Sequence, residues 1–190
     1  MKDYIGYYTD LIPPPICDAI IGHVETQRLS DFAKSTYSDP DGVVESDDRV
    51  CMDEIWFLQD HKFYDVLKNF VLKGLENYSK QHPKFVVTHH TNFRLNKYSK
   101  GGFMSKHCDN IHHSHGQQYG YPHVSVLLFL NDDYEGGEFQ IKTGRENYIP
   151  PEQETGNILF FPTYLVHRVT LVTKDTRSVI VGWIHGNSFV

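Results

Sequence analysis

The 190-residue sequence predicts a mainly β, α+β fold: a double-sheet barrel or jelly roll with N-terminal helices packed on one sheet. Three observations predict it. Amphipathic helical patterns are confined to the first 83 residues. Beyond Pro83 come short runs rich in β-branched and aromatic residues, separated by turn clusters. Aromatics make up 14% of the chain, with 12 Tyr and 12 Phe, a composition suited to half-buried pleated surfaces.

Taken in order, Pro13, Pro14 and Pro15 form a rigid lead-in, and Ile16, Ile20 and Val24 recur at spacing four, predicting a helix near 15–29. The polar stretch 30–49 predicts a loop, long enough to be either a substrate lid or an ordinary surface segment. A strand is expected within 50–58. Phe63, Val66, Leu67, Phe70, Val71, Leu75 and Tyr78 mark one face of a second helix near 61–80. Strands are expected at 85–98, 123–130, 137–142, 157–162, 165–173 and 177–185. Their turn signals include Lys100-Gly101-Gly102, Gly136-Gly137 and Lys174-Asp175. The expected organisation is one domain over 1–190, with 1–83 as helical support and possible lid and 84–190 as the jelly-roll core.

Composition narrows the function. A net charge of −6 argues against binding a phosphate backbone, so no nucleic-acid partner is expected. Three cysteines without a CxxC pair fit neither a disulfide framework nor a cysteine zinc site. No signal-peptide pattern and no apolar run of membrane-spanning length occur, so a soluble intracellular protein without a membrane partner is expected.

His107 and Asp109 stand two apart. On a strand they would share a face, where an imidazole and a carboxylate can converge on one metal. Two neutral nitrogens and a carboxylate leave three positions of an octahedron open, the facial triad of non-haem iron(II) oxygenases. Alone the pair is weak: 12 His and 15 Asp in 190 residues produce about one such pair by chance.

Its surroundings carry more. Upstream lies KYSKGGFMSKHCDN (97–110); downstream lie SVLLFLNDDYEGGEFQI (125–141) and GNILFFPTYLVHRVTLVTKDTRSVIVGWIHG (156–186). The order Tyr-x-x-Gly, His-x-Asp, strand ending Leu-Asn, Gly-Gly-Glu, second His and a basic residue ten further on resembles the prolyl 4-hydroxylase branch of the 2-oxoglutarate/iron(II) dioxygenases. The resemblance covers residues 85–186 and implies a double-stranded β-helix core. It implies His107, Asp109 and His167 as iron ligands. It implies Arg177 as the partner of the distal 2-oxoglutarate carboxylate, which suits a planar guanidinium fork. Tyr98 matches a tyrosine that bonds the co-substrate, and Trp183 matches an aromatic wall. Phe129 is a departure: many relatives carry Tyr there, so one donor to 2-oxoglutarate is missing and more falls to Tyr98.

The implied cofactors are Fe(II), 2-oxoglutarate and O2, with ascorbate as a candidate reductant. The implied reaction couples decarboxylation of the keto acid to hydroxylation of a C–H bond, and a peptide or protein prolyl residue is the favoured substrate. Another side chain, or a free amino acid, is the rival within the class. A non-catalytic metal-binding double-sheet barrel and a zinc hydrolase remain open, and Arg177 discriminates against both. Elsewhere, His112, His113 and His115 are better read as a solvated loop than a second metal site. His89 and His90 are adjacent and point to opposite faces of a strand, so at most one faces the site, and His123 and His185 read as strand-end or core histidines. Cys108 should point away from the metal, and Gly136-Gly137 reads as a turn. If the segments flanking Lys174-Asp175 form a hairpin, Arg177 should face an odd-numbered residue such as Leu171 or Thr173.

Overall fold

The computed structural model describes residues 4–27, 33–34, 37–39, 42–44, 49–109, 122–143, 146–148 and 152–187. The first part of the chain forms β1 (Gly6–Tyr8), α1 (Pro14–Glu25), β2 (Ala33–Lys34), β3 (Tyr37–Asp39), β4 (Gly42–Val44), β5 (Val50–Cys51), β6 (Asp53–Phe57) and α2 (Tyr64–Gln81). Next come β7 (Val87–His90), β8 (Phe93–Tyr98), β9 (Phe103–His107), β10 (Val124–Phe129), β11 (Glu135–Gly136) and β12 (Phe139–Thr143). The chain closes with β13 (Glu146–Tyr148), β14 (Ile158–Pro162), β15 (His167–Val169), β16 (Val172–Lys174) and β17 (Arg177–Gly186).

Both helices start as their sequences dictate. Pro14 opens α1, where a missing N–H costs nothing and the fixed φ suits the first turn. In α2, Tyr64, Leu67, Val71, Leu75 and Tyr78 bury one stripe at spacings of three and four. That stripe lies on a major sheet ordered β1-β14-β10-β17-β8-β6-β2, with β7 also paired to β17. A second sheet, β13-β12-β15-β9-β5, supplies the other wall of the double-stranded β-helix.

Alternation on the central strands divides the interior in two. Val124, Val126 and Leu128 of β10 and Ile180 and Ile184 of β17 join the helix-side core. Leu127 and Phe129 of β10 and Val179, Val181 and Trp183 of β17 face the second sheet. The central strands are therefore buried on both faces and read as continuous apolar runs rather than alternating ones.

Three local expectations need correction. The stretch 30–49, expected as a loop, contains a β3–β4 hairpin and the strand β2, which pairs with β6. The rest of that stretch, apart from Arg49, lies outside the described residues. The N-terminal part also adds β1 to the edge of the major sheet, a strand not expected there, whereas β5 and β6 fall within the expected 50–58. Finally, β16 and β17 do not form a hairpin: β16 pairs with β11, while Arg177 opens β17 in the major sheet opposite Tyr98. The Lys174-Asp175 turn carries the chain from one layer to the other, with Asp175 at φ 58.

Candidate active site

His107 ends β9 and faces His167, the first residue of β15, in register. Asp109 lies just beyond β9, so it joins the two histidines through a turn of the chain rather than through the pleat. Its N–H donates to the Thr163 carbonyl at 2.9 Å, which fixes that turn. The Asp109 Oδ1 is 3.5 Å from Nε2 of both histidines, and all three potential ligand atoms lie within 4.8 Å of one another. Each imidazole is oriented from behind. Nδ1 of His107 is 2.8 Å from the Ser105 carbonyl, and Nδ1 of His167 is 2.8 Å from the Leu165 carbonyl. A carbonyl can only accept, so Nδ1 carries the hydrogen and each Nε2 lone pair points at the shared centre.

Burial alone would push the Asp109 carboxyl up. The electrostatic pull of the adjacent His167 and His107 rings and the hydrogen bond from Ser125 outweigh that and hold it well below the usual carboxylate range. The Ser125 hydroxyl on β10 donates to Asp109 Oδ2. Asp109 is therefore an anion acceptor on a neutral two-nitrogen frame, a donor set that suits an octahedral divalent iron.

Arg177 is 1% exposed, and none of its three guanidinium nitrogens has a hydrogen-bond partner among the described residues. Its Cζ lies 5.3 Å from the Tyr98 ring centroid and 5.9 Å from that of Phe129. A buried charge without a counter-ion is costly, so the pocket is built around an anion supplied from outside. A dicarboxylate with one end on Arg177 and the other on the metal meets that need. Gly137 bears directly on this position. Its φ is 62°, and a Cβ there would lie 3.1 Å from Arg177 Cδ and 2.9 Å from Val172 Cγ2. Gly136-Gly137, expected as a mere turn, thus leaves room for the arginine stem.

Tyr98 is 1% exposed, and its hydroxyl is 3.4 Å from Asn96 Nδ2 and 3.8 Å from the Met104 thioether, a weak acceptor. Burial raises its pKa, with Arg177 opposing, so the phenol stays a donor. Trp183 lines the same pocket, as do Val179 and Val181. Sequence reasoning missed four contributors: Ser125 beneath Asp109, and Arg94, Asn96 and Glu54. Arg94 Nε donates to Asn96 Oδ1 at 2.8 Å, and Nη1 lies 3.2 Å from Glu54 Oε2. The one available signal was an Arg and an Asn at alternating positions of a strand leading into Tyr98.

The remaining candidates fall elsewhere. His89, His90, His123 and His185 do not line the pocket, and His185 is buried at 2% exposure. Cys108 Sγ donates to the Tyr164 carbonyl at 3.4 Å. His112, His113 and His115 lie outside the described residues.

Comparison with known proteins agrees with this geometry. A family model described as the 2OG-Fe(II) oxygenase superfamily matches residues 93–185. The chain is 39% identical over 94 residues to a PKHD-type hydroxylase of Synechococcus sp. (strain CC9311), covering 48% of this chain and 40% of that protein. It is 36% identical over 106 residues to a PKHD-type hydroxylase of Crocosphaera subtropica, covering 55% and 45%. The chain thus spans less than half the length of these relatives. Its fold matches a prolyl hydroxylase solved with a hypoxia inducible factor peptide fragment from Trichoplax adhaerens, with TM-score 0.74, 14% identity and coverage of 96% and 84%. It also matches a Pseudomonas putida prolyl-4-hydroxylase, with TM-score 0.69, 13% identity and coverage of 97% and 93%.

Proposed function

We propose that this chain, whose residues 93–185 match the model of the 2OG-Fe(II) oxygenase superfamily, is a 2-oxoglutarate- and iron(II)-dependent hydroxylase of prolyl residues in a peptide or protein. The observation that carries this reading is the unpartnered guanidinium of Arg177 in the same pocket as the His107, Asp109 and His167 cluster. A non-catalytic metal barrel or a zinc hydrolase needs no buried cation without a counter-ion. The prolyl substrate follows the names of the relatives and structural neighbours, a weaker warrant than the site itself.

His107, Asp109 and His167 would hold the iron, and Arg177 the distal carboxylate of 2-oxoglutarate. When bound, iron(II), 2-oxoglutarate and O2 together supply an oxidative decarboxylation that yields succinate, carbon dioxide and a hydroxylated substrate carbon. The chain's own contribution is geometry and exclusion of water. The backbone carbonyls of Ser105 and Leu165 lock the imidazole tautomers. Ser125 keeps Asp109 ionised and oriented. Tyr98 supplies the remaining hydroxyl donor beside Arg177, where Phe129 supplies none. Val179, Val181, Leu127 and Trp183 line the pocket and keep it dry.

In this reading, residues 84–190 form the catalytic core and residues 1–83 its support, within one functional unit. The stretch 30–49 is a candidate substrate lid, since β2 within it pairs Ala33 with Glu54, the ion-pair partner of the pocket residue Arg94. Gain of amide-exchange protection across 30–49 only when peptide and 2-oxoglutarate are both present is the expected sign. Unchanged exchange in every state removes the lid.

The test of function is turnover. Incubation with Fe(II), ascorbate as reductant, 2-oxoglutarate, air and a prolyl peptide library should produce succinate and peptides heavier by one oxygen on proline. Succinate with the added oxygen on other residues would reassign the substrate, and absence of iron-dependent succinate would end the reading.

A further inference from the structure

We propose that Arg94 selects a neutral backbone carbonyl of the substrate, so that the site takes a prolyl residue inside a peptide chain and discriminates against the free amino acid. This rests on the hydroxylase reading above and specifies its substrate side.

The two buried arginines of the pocket are built differently. Arg177 has no counter-ion among the described residues, which suits a carboxylate ligand. Arg94, 6% exposed, is already neutralised by Glu54. Adding a carboxylate to a paired arginine would leave the cluster with a net negative charge in a dry site, which is unfavourable. A carbonyl oxygen can instead accept from a guanidinium edge without changing the charge balance. Arg94 has such an edge: Nε goes to Asn96 and Nη1 to Glu54, while the side chain lines the pocket.

Position along the sheet separates Arg94 from the 2-oxoglutarate end. In the β8–β17 pairing, Arg177 faces Tyr98, Val179 faces Asn96, and Val181 faces Arg94. Four residues of strand, roughly 13 Å, divide the two arginine rungs. The metal cluster is level with the far end. Ser125, which holds Asp109, is paired with Trp183, one inward-facing position beyond Val181. Arg94 therefore lines the pocket close to the level of Asp109 and apart from the Arg177 end. Trp56 and Trp183 flank it, with Arg94 Cζ at 5.7 Å and 5.1 Å from their ring centroids. Trp56 Nε1 in turn donates to Glu54 Oε1 at 3.4 Å, so Glu54 fixes both the cation and one aromatic wall.

The chain has 2 tryptophans, and both contact Arg94, so intrinsic fluorescence reports on this subsite. The protein, loaded with zinc(II) and 2-oxoglutarate to prevent turnover, is titrated with three probes. These are acetyl-Ala-Pro-Gly-amide, acetyl-Ala-Pro with its free carboxylate, and L-proline. The blocked tripeptide should give a saturable change at a midpoint at least tenfold below that of L-proline, and Arg94→Gln should raise that midpoint at least tenfold. Glu54→Gln leaves Arg94 uncompensated and should shift preference toward the free-carboxylate probe, a gain that a misfolded variant cannot produce. Equal midpoints for L-proline and the tripeptide, no saturable response to the tripeptide, or an unchanged probe preference in Glu54→Gln would overturn the proposal. A separate titration of 2-oxoglutarate distinguishes the two levels. If 2-oxoglutarate fails to bind, the hydroxylase reading falls, whereas if it binds normally and the probes fail, only the role of Arg94 falls.

Discussion

At the scale of single residues, chemistry here is set by what stands behind each functional atom. The sequence pattern that resembles the dioxygenases singled out His107, Asp109, His167 and Arg177, and the fold brings these four into one pocket. Ser125, Asn96 and Glu54 were not legible, because a polar residue within an apolar strand has no signature until its distant partner is known. Ser125 reaches Asp109 across 16 positions of sequence. Gly137 was legible only as a turn, although its missing side chain makes room for Arg177. Alanine there would adopt a left-handed conformation costing about 1–2 kcal/mol. Its Cβ would also lie 3.1 Å from Arg177 Cδ. Gly137→Ala should weaken 2-oxoglutarate binding about tenfold, near 1.4 kcal/mol. Metal affinity should be unchanged, and parallel titrations of metal and keto acid check both.

At the scale of elements, periodicity located both helices and most of the strands, but not which strands pair. Nothing in the run 165–186 distinguishes a hairpin from a layer crossing, and β17 crosses to lie between β10 and β8. The His-x-Asp pair similarly looks like strand geometry, yet Asp109 lies past the strand end. The entry to α2 carries a pH response. His61 stacks on Phe57 at 4.2 Å, and its Nδ1 accepts the Phe63 N–H at 3.2 Å. Burial first, then His23 and Lys62, lower its pKa below 6.5. The folded state thus resists a proton that the unfolded chain accepts, so this stability is intact above the unfolded pKa. It is lost as pH falls through the lowered folded value. His61→Phe keeps an aromatic ring without the titration. Between pH 7.5 and 5, wild-type unfolding free energy should fall more steeply than that of His61→Phe, as denaturant titrations at each pH would show.

At the scale of the whole molecule, the jelly-roll class was legible from helices followed by many short strands. The contribution of β1 to the major sheet was not, since a strand of three residues is too brief for a period-two signal. The assembled architecture places the metal cluster between the sheets with Arg177 on the major sheet, so bound metal should stabilise the entire fold. At a hundredfold excess over its dissociation constant, manganese(II) should add about 2.7 kcal/mol. For a chain of this size that is a rise in Tm of roughly 5–10 °C. A chelator should reverse it, and thermal scans of wild type and His167→Ala, which should show little rise, check it. The central claim is that the three ligands and Arg177 form one site for a metal and 2-oxoglutarate together. Calorimetric titration of 2-oxoglutarate into manganese(II)-loaded protein tests it most directly. The account predicts one saturable site that requires the metal and weakens by at least about 30-fold, or 2 kcal/mol, in Arg177→Ala. Equal binding without metal, or wild-type affinity in Arg177→Ala, would contradict it.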